Sequence, residues 1–219
     1  MLAPALDALL HASDLDELQA AYHQVASELS TDDQLEVTAV LVRWSDVQAV
    51  ANLLMYPVLI PAQSRTDWLV RGLSAEQAYL RLAAAVGVGQ LPASQWTEDD
   101  VDMLVPSLLH LVGTDTDVTA SRAALSLGPL VRPMDAPEMV ALLVHRDRGV
   151  RRNLEAGLFR VVGCDGLTAL LDGGFMDDET ARGALEVLAE DGIDLSVPAE
   201  KQPRQPMLAY IPNYSDWIG

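Results

Sequence analysis

The groups from which chemistry could be built are few. The chain holds four histidines and one cysteine. His11, His23, His110 and His145 fall in no His-x-His or His-Glu-x-x-His spacing, so helical geometry offers no zinc site. Asp115-Thr-Asp117 opens like a calcium loop. No glycine follows at the sixth position, and Ser126 stands at the twelfth, where a bidentate glutamate is needed. Gly87-Val-Gly89 fails as a dinucleotide fingerprint, because Pro92 replaces the third glycine and no strand precedes it. There is no Gly-x-Ser-x-Gly elbow, and the serines gather where helices begin. Cys164 reads as a small core residue rather than a nucleophile. These patterns predict no catalytic residue, no cofactor and no metal, hence a protein that is not an enzyme.

Three features point to binding instead. The first is acidic. No lysine or arginine precedes Arg43, and a second basic-free stretch runs from Leu82 to Ser121. In that stretch Glu98, Asp99 and Asp102, with Asp100 between them, are candidates for meeting a basic partner. Helix-start carboxylates are favourable for the dipole alone, and that accounts for most of them singly. The second feature is basic: Arg146, Arg148, Arg151, Arg152 and Arg160. Arg148, Arg151 and Arg152 are candidates for an acidic or phosphorylated partner. The more economical expectation pairs Arg151 with Glu155 one turn on, and Arg148 with a neighbouring aspartate. The third is the tail, where Tyr210, Tyr214 and Trp217 either cap the last repeat or form a strap or partner-binding peptide.

The elements that must position these residues are helices. Asp115-Thr-Asp-Val118, Asp147-Arg-Gly-Val150 and Asp177-Asp-Glu-Thr180 each place an aspartate three residues before a β-branched residue, 32 and 30 residues apart. A fixed period in this range marks a stacked helical array. From each mark, positions 0, 4, 7 and 8 form one apolar stripe, broken in the first copy by Arg122 and Ser126. Each aspartate can cap its helix. Upstream, Ser13 and Thr97 open helices, and Thr31–Gln34, Ser45–Gln48 and Ser74–Gln77 read as capping boxes. Residues 87–95, with two glycines and Pro92, read as a loop. Met103 and Leu104 are expected to face the core.

Asp147-Arg-Gly-Val-Arg151 resembles the Asp-x-x-Val-Arg turn of the HEAT-repeat family, and Ala85-Val-Gly87 resembles the Ala-Leu-Gly that often ends its second helix. The other two marks are weaker copies, with Thr119 and Ala181 where the family favours arginine. The resemblance covers residues 62–190 and, more loosely, 1–61. It implies an all-α, right-handed α-solenoid of about six antiparallel helical pairs, with residues 1–192 as one domain and 193–219 as an extended tail rich in proline and aromatics. It implies a binding scaffold. A few relatives are enzymes, among them DNA glycosylases and tetrapyrrole lyases. A glycosylase needs a basic, aromatic-lined groove.

Composition argues against that groove. Thirty-two acidic residues oppose fourteen basic ones, thirteen of them arginine, for a net charge of −18 over 219 residues. Such a field repels nucleic acid and anionic membranes and favours basic partners. The most apolar run, Val50 to Ala62, is too short to span a membrane and carries Asn52, Pro57 and Pro61, so it reads as buried core. The single cysteine fits a reducing, cytoplasmic setting. The N-terminus lacks the basic region of a secretion signal. The expected function is a non-enzymatic protein-binding scaffold. A sharper alternative is an acidic immunity or antitoxin-like inhibitor that covers a basic toxin or nuclease.

Overall fold

The computed structural model of the chain describes residues 3–28 and 30–197. Among them are twelve α-helices and no strand: α1 Pro4–His11, α2 Leu15–Glu28, α3 Thr31–Arg43, α4 Val47–Met55, α5 Ala62–Leu73, α6 Ala78–Gln90, α7 Glu98–Thr114, α8 Asp117–Leu127, α9 Ala136–Ala141, α10 Arg148–Val161, α11 Gly163–Asp172 and α12 Asp178–Glu190. The all-α expectation holds. No helix among the described residues is long and apolar enough to cross a membrane. The chain divides into two compact units between Ser107 and Leu108, inside α7 and one residue past Pro106.

The first unit is built around α4. Every residue of α4 from Ala49 to Met55 is buried, as befits a helix apolar on all sides. The apolar run from Val50 is therefore core through Met55, as its composition predicts, whereas Val58 and Ala62 farther along it are exposed. α4 packs most extensively on α6, and also against α1 and α3. Small residues allow the approach. A β-carbon on Gly87 would lie 1.9 Å from the carbonyl oxygen of Leu54, and one on Gly72 would lie 2.7 Å from Leu54 Cδ1. Gly87 is thus not the start of a loop. α6 continues through it to Gln90, because the glycine serves a neighbouring helix rather than a turn.

One polar residue in α4 is fully enclosed. Asn52 Nδ2 donates to the carbonyls of Leu9 at 2.9 Å and Ala12 at 3.1 Å, satisfying the C-terminal end of α1. Its Oδ1 accepts from Gln48, whose amide also reaches Ala12 and the hydroxyl of Tyr79 on α6.

In the second unit α10 packs on α8, α9 and α11, and α12 packs on α9 and the turn after it. Two of the three aspartate marks cap as expected. Asp147 Oδ1 accepts from the Val150 amide, and Asp177 Oδ1 from the Thr180 amide, each at 2.9 Å. The first mark does not. Asp115 accepts from the adjacent Thr116 amide, and Thr116 stands at the N-cap of α8 without a side-chain cap; the buried stripe of α8 is Ala120, Ala123, Ala124 and Leu127. Counted from that stripe the marks fall at Ala120, Val150 and Thr180, an even 30 residues apart. This explains why Arg122 and Ser126 broke the expected pattern. Beyond α12, Ile193 is buried and Cys164 Sγ donates to the Val197 carbonyl, so Cys164 sits in packing.

The other helix starts differ in detail. Asp14, just after Ser13, caps α2 by accepting from the Glu17 amide. Ser30 and Asp33 form the box of α3, one residue before the expected one. Asp46 rather than Ser45 caps α4. Gln77 precedes α6 without a side-chain cap.

Gly87→Ala is expected to cost about 3 kcal/mol, because backbone on both sides resists the shift. Denaturant unfolding measures it, and a variant within about 0.5 kcal/mol of the parent would contradict the close approach. Asp147→Ala should cost about 1 kcal/mol through loss of the cap, read in the same way.

Candidate functional site

The acidic candidates lie on the first turns of α7. Thr97 and Asp100 form its capping box: the Asp100 amide donates to Thr97 Oγ1 at 3.2 Å, and the Thr97 amide donates back to Asp100 Oδ2 at 2.9 Å. Asp100 also accepts from the Thr66 hydroxyl on α5. Burial works to raise the Asp100 pKa, but these hydrogen bonds and the Arg65 charge outweigh it and hold the carboxyl below its usual value. Asp100 is therefore tied to the fold. Glu98, Asp99 and Asp102 are exposed. Met103, expected in the core, is 42% exposed and joins them, whereas Leu104 is buried as expected. Helical spacing puts Asp99, Asp102, Met103 and Pro106 on one solvent face. The arrangement presents carboxylates with an apolar side chain among them.

The basic candidates are engaged within the fold. Asp191, at the end of α12, has a side chain only 2% exposed. Arg148 Nε and Arg151 Nε each lie 2.9 Å from its carboxylate, and Arg152 Nη2 donates to its main-chain carbonyl. Arg151 reaches Asp191 across 40 residues of sequence; the guanidinium hydrogen-bonded to Glu155 is that of Arg152, at 3.4 Å. The expected pairing of Arg151 with Glu155 is thus replaced by Arg152 three residues away. Arg148 does find an aspartate, Asp191. Arg160 donates to the carbonyls of Gly128 and Val131.

Glu155 is the outlier of this cluster. Its side chain is 3% exposed and Oε1 has no hydrogen-bond partner. Burial pushes its pKa up to about 7, the Asp191 charge adds to the rise, and Arg152 and Arg151 oppose it. Asp191 is also penalised by burial, yet its arginine partners hold it below the usual carboxylate value. The two carboxyl groups thus divide the roles: Asp191 carries the charge and Glu155 takes up the proton. Chemically this is a clamp that fastens the end of α12 to α10.

Other candidates stay apart. Among the described residues no three His, Cys, Asp or Glu side chains are placed to hold a metal ion. Tyr210, Tyr214 and Trp217 lie outside the described residues.

Sequence reasoning missed a surface of the first unit. A groove of about 260 Å3 lies between α3 and the start of α5, lined by Gln34, Leu35, Thr38, Pro61, Ala62 and Gln63 among others. Farther along the same two helices Trp44 stacks on Trp68, with ring centroids 5.9 Å apart, and Arg71 covers the Trp44 ring at 4.1 Å. The signal was present: Leu35 and Val42 stand on the opposite face of α3 from the buried Val37, Val40 and Leu41. A second groove, of about 210 Å3 beside α1, α3 and α4, is lined by Glu36 and Arg43, which pair at 3.1 Å.

No family model, curated protein or solved structure matches the chain.

The pH dependence of stability follows from Glu155. Its pKa in the fold exceeds its unfolded value, so the folded state binds the extra proton. The group's contribution declines as pH rises from about 4.5 to about 7, and above that range the fold carries the cost of an ionised buried carboxylate, up to about 3 kcal/mol. Glu155→Gln should flatten stability between about pH 5 and pH 8. Denaturant unfolding across that range tests this; an unchanged slope in the variant would show that Glu155 titrates normally.

Proposed function

We propose that the chain is a non-enzymatic protein-binding scaffold, a HEAT-like α-solenoid of about six antiparallel pairs that works in the cytoplasm and recruits a basic protein. The observation that carries this reading is the exposed face of α7. There Asp99 and Asp102 flank Met103, with Glu98 exposed on the same first turns, on a chain with a net charge of −18, the mixture of charge and apolar surface that steers and then holds a partner. The even spacing of the buried stripes in α8, α10 and α12 supports the solenoid, whose usual role is to present an extended surface. The engagement of Arg148, Arg151 and Arg152 with Asp191 and Glu155 weighs against their use on an acidic partner. A narrower reading, an immunity or antitoxin-like inhibitor of a basic toxin or nuclease, is favoured by the same charge and has the same physical basis.

The test starts from the partner captured from the source cell. Association is then measured against ionic strength for the parent and for a chain carrying Asp99→Lys and Asp102→Lys. Association should slow by about tenfold at low salt and lose most of its salt dependence, with dissociation nearly unchanged. An acidic partner, or an association rate indifferent to both salt and charge reversal, would refute the role of α7. Saturable sub-micromolar binding of duplex DNA at physiological salt would refute the scaffold reading itself.

A further inference from the structure

The geometry points to the α3–α5 groove as a docking site for an amphipathic, basic helical segment of another protein. The inference rests on the scaffold reading and adds where on the first unit a partner lies. Leu35 and Val42 are 66% and 61% exposed. With Thr31 and Thr38 they fall at i, i+4, i+7 and i+11, one straight line along α3 about 16 Å long. Two large aliphatic side chains thus stand on a single line, with Thr38 between them and an uncharged, mixed polar and apolar groove beside Leu35. The other lining residues, Gln34, Thr38, Pro61, Ala62 and Gln63, are short or uncharged, so a helix can approach closely.

Past the groove, α3 ends at a stacked aromatic pair. Trp44 adopts φ +50° in the left-handed region, the one described residue other than glycine to do so. That conformation is costly for a residue with a β-carbon. Stacking on Trp68 under the Arg71 guanidinium compensates it and fixes both indoles at the surface, half-buried.

Charge decides the occupant. The cations near the groove are committed: Arg43 to Glu36, Arg65 to the carbonyls of Pro57 and Ile60, and Arg71 to the indoles. The exposed carboxylates Asp32 and Asp67 have no ion-pair partner among the described residues. Asp67 lies four residues from Gln63 and four from Arg71, on the face of α5 that borders the groove. A segment with aliphatic residues on one face and lysine or arginine along its margin fits this strip; an acidic segment does not, and a second copy of so acidic a chain is disfavoured.

The probe is a leucine–lysine amphipathic peptide long enough to span about 20 Å, titrated into the full chain with methyl resonances as the readout. A leucine–glutamate peptide of the same pattern is the control. Saturable shifts centred on Leu35 and Val42, absent with the acidic peptide, are expected. Leu35→Glu or Val42→Glu should weaken binding about tenfold, and Asp67→Lys about threefold. All three residues are exposed, so thermal unfolding should stay at the parent value, which separates lost binding from lost fold. Shifts confined to α7 around Asp99 and Asp102 would overturn the groove and leave the scaffold reading standing. Equal binding of both peptides, or no binding, would overturn the groove as well. A parent that is dimeric by light scattering and split by Leu35→Glu would assign the groove to a second copy and refute the basic occupant.

Discussion

The carbonyl oxygen of Leu54 occupies the space that a β-carbon at position 87 would need. α4 and α6 therefore meet backbone to backbone at that point, and the rest of the first unit is arranged around a contact with no spare volume. Leu54 in turn presses its methyl groups toward Gly72 on α5, so one residue meets two glycine-bearing helices, one through its carbonyl and one through its side chain. Because α4 is enclosed on every side, its polar atoms must be satisfied internally, and Asn52 does so by bonding to the end of α1. Packing and hydrogen bonding here fix the same helix from opposite sides, and neither tolerates a change in the distance of approach.

The arginines show how an acidic chain manages its few cations. Arg65 spans the carbonyls of Pro57 and Ile60, Arg81 those of Ala75 and Glu76, Arg151 those of His145 and Arg146, and Arg160 those of Gly128 and Val131. The carbonyl pairs lie at or near the ends of helices, where backbone acceptors are under-satisfied. A planar fork with five donors can hold two such oxygens at once, which a lysine ammonium does less well. At these four positions a lysine could not replace the arginine without losing one of the two contacts. Turning so many cations toward the backbone also leaves the carboxylates to define the solvent face.

Much of the helical pattern was legible because the apolar period is local, and caps such as Asp147 and Asp177 act within one turn. What escaped the sequence is non-local. Gly87 reads as a stop for α6 unless the Leu54 carbonyl is known to lie against it. Arg151 reads as the partner of Glu155 because four residues is the natural helical spacing, yet Asp191, far along the chain, is the better acceptor. Asp115 reads as a cap because it precedes a β-branched residue, although the buried face of α8 starts two residues later. At the candidate sites, Glu98, Asp99 and Asp102 were legible as exposed helix-start acids. The bond from Thr66 that removes Asp100 from that surface was not, nor was the stacking of Trp68 on Trp44, since each joins residues from different helices.

The enclosure of α4 also bears on how the chain is made. Asn52 reaches back about forty residues to Leu9 and Ala12, and Leu54 reaches forward about thirty to Gly87. On a ribosome the helix emerges with its rear partner already available and its forward partner still unmade. For that interval it is a largely apolar segment without its forward partner, the kind of intermediate that chaperones recognise. The first unit closes only when residues through Gln90 have cleared the exit tunnel. A pause in translation just before that point would prolong the exposure, and one just after it would shorten the search for the native contact.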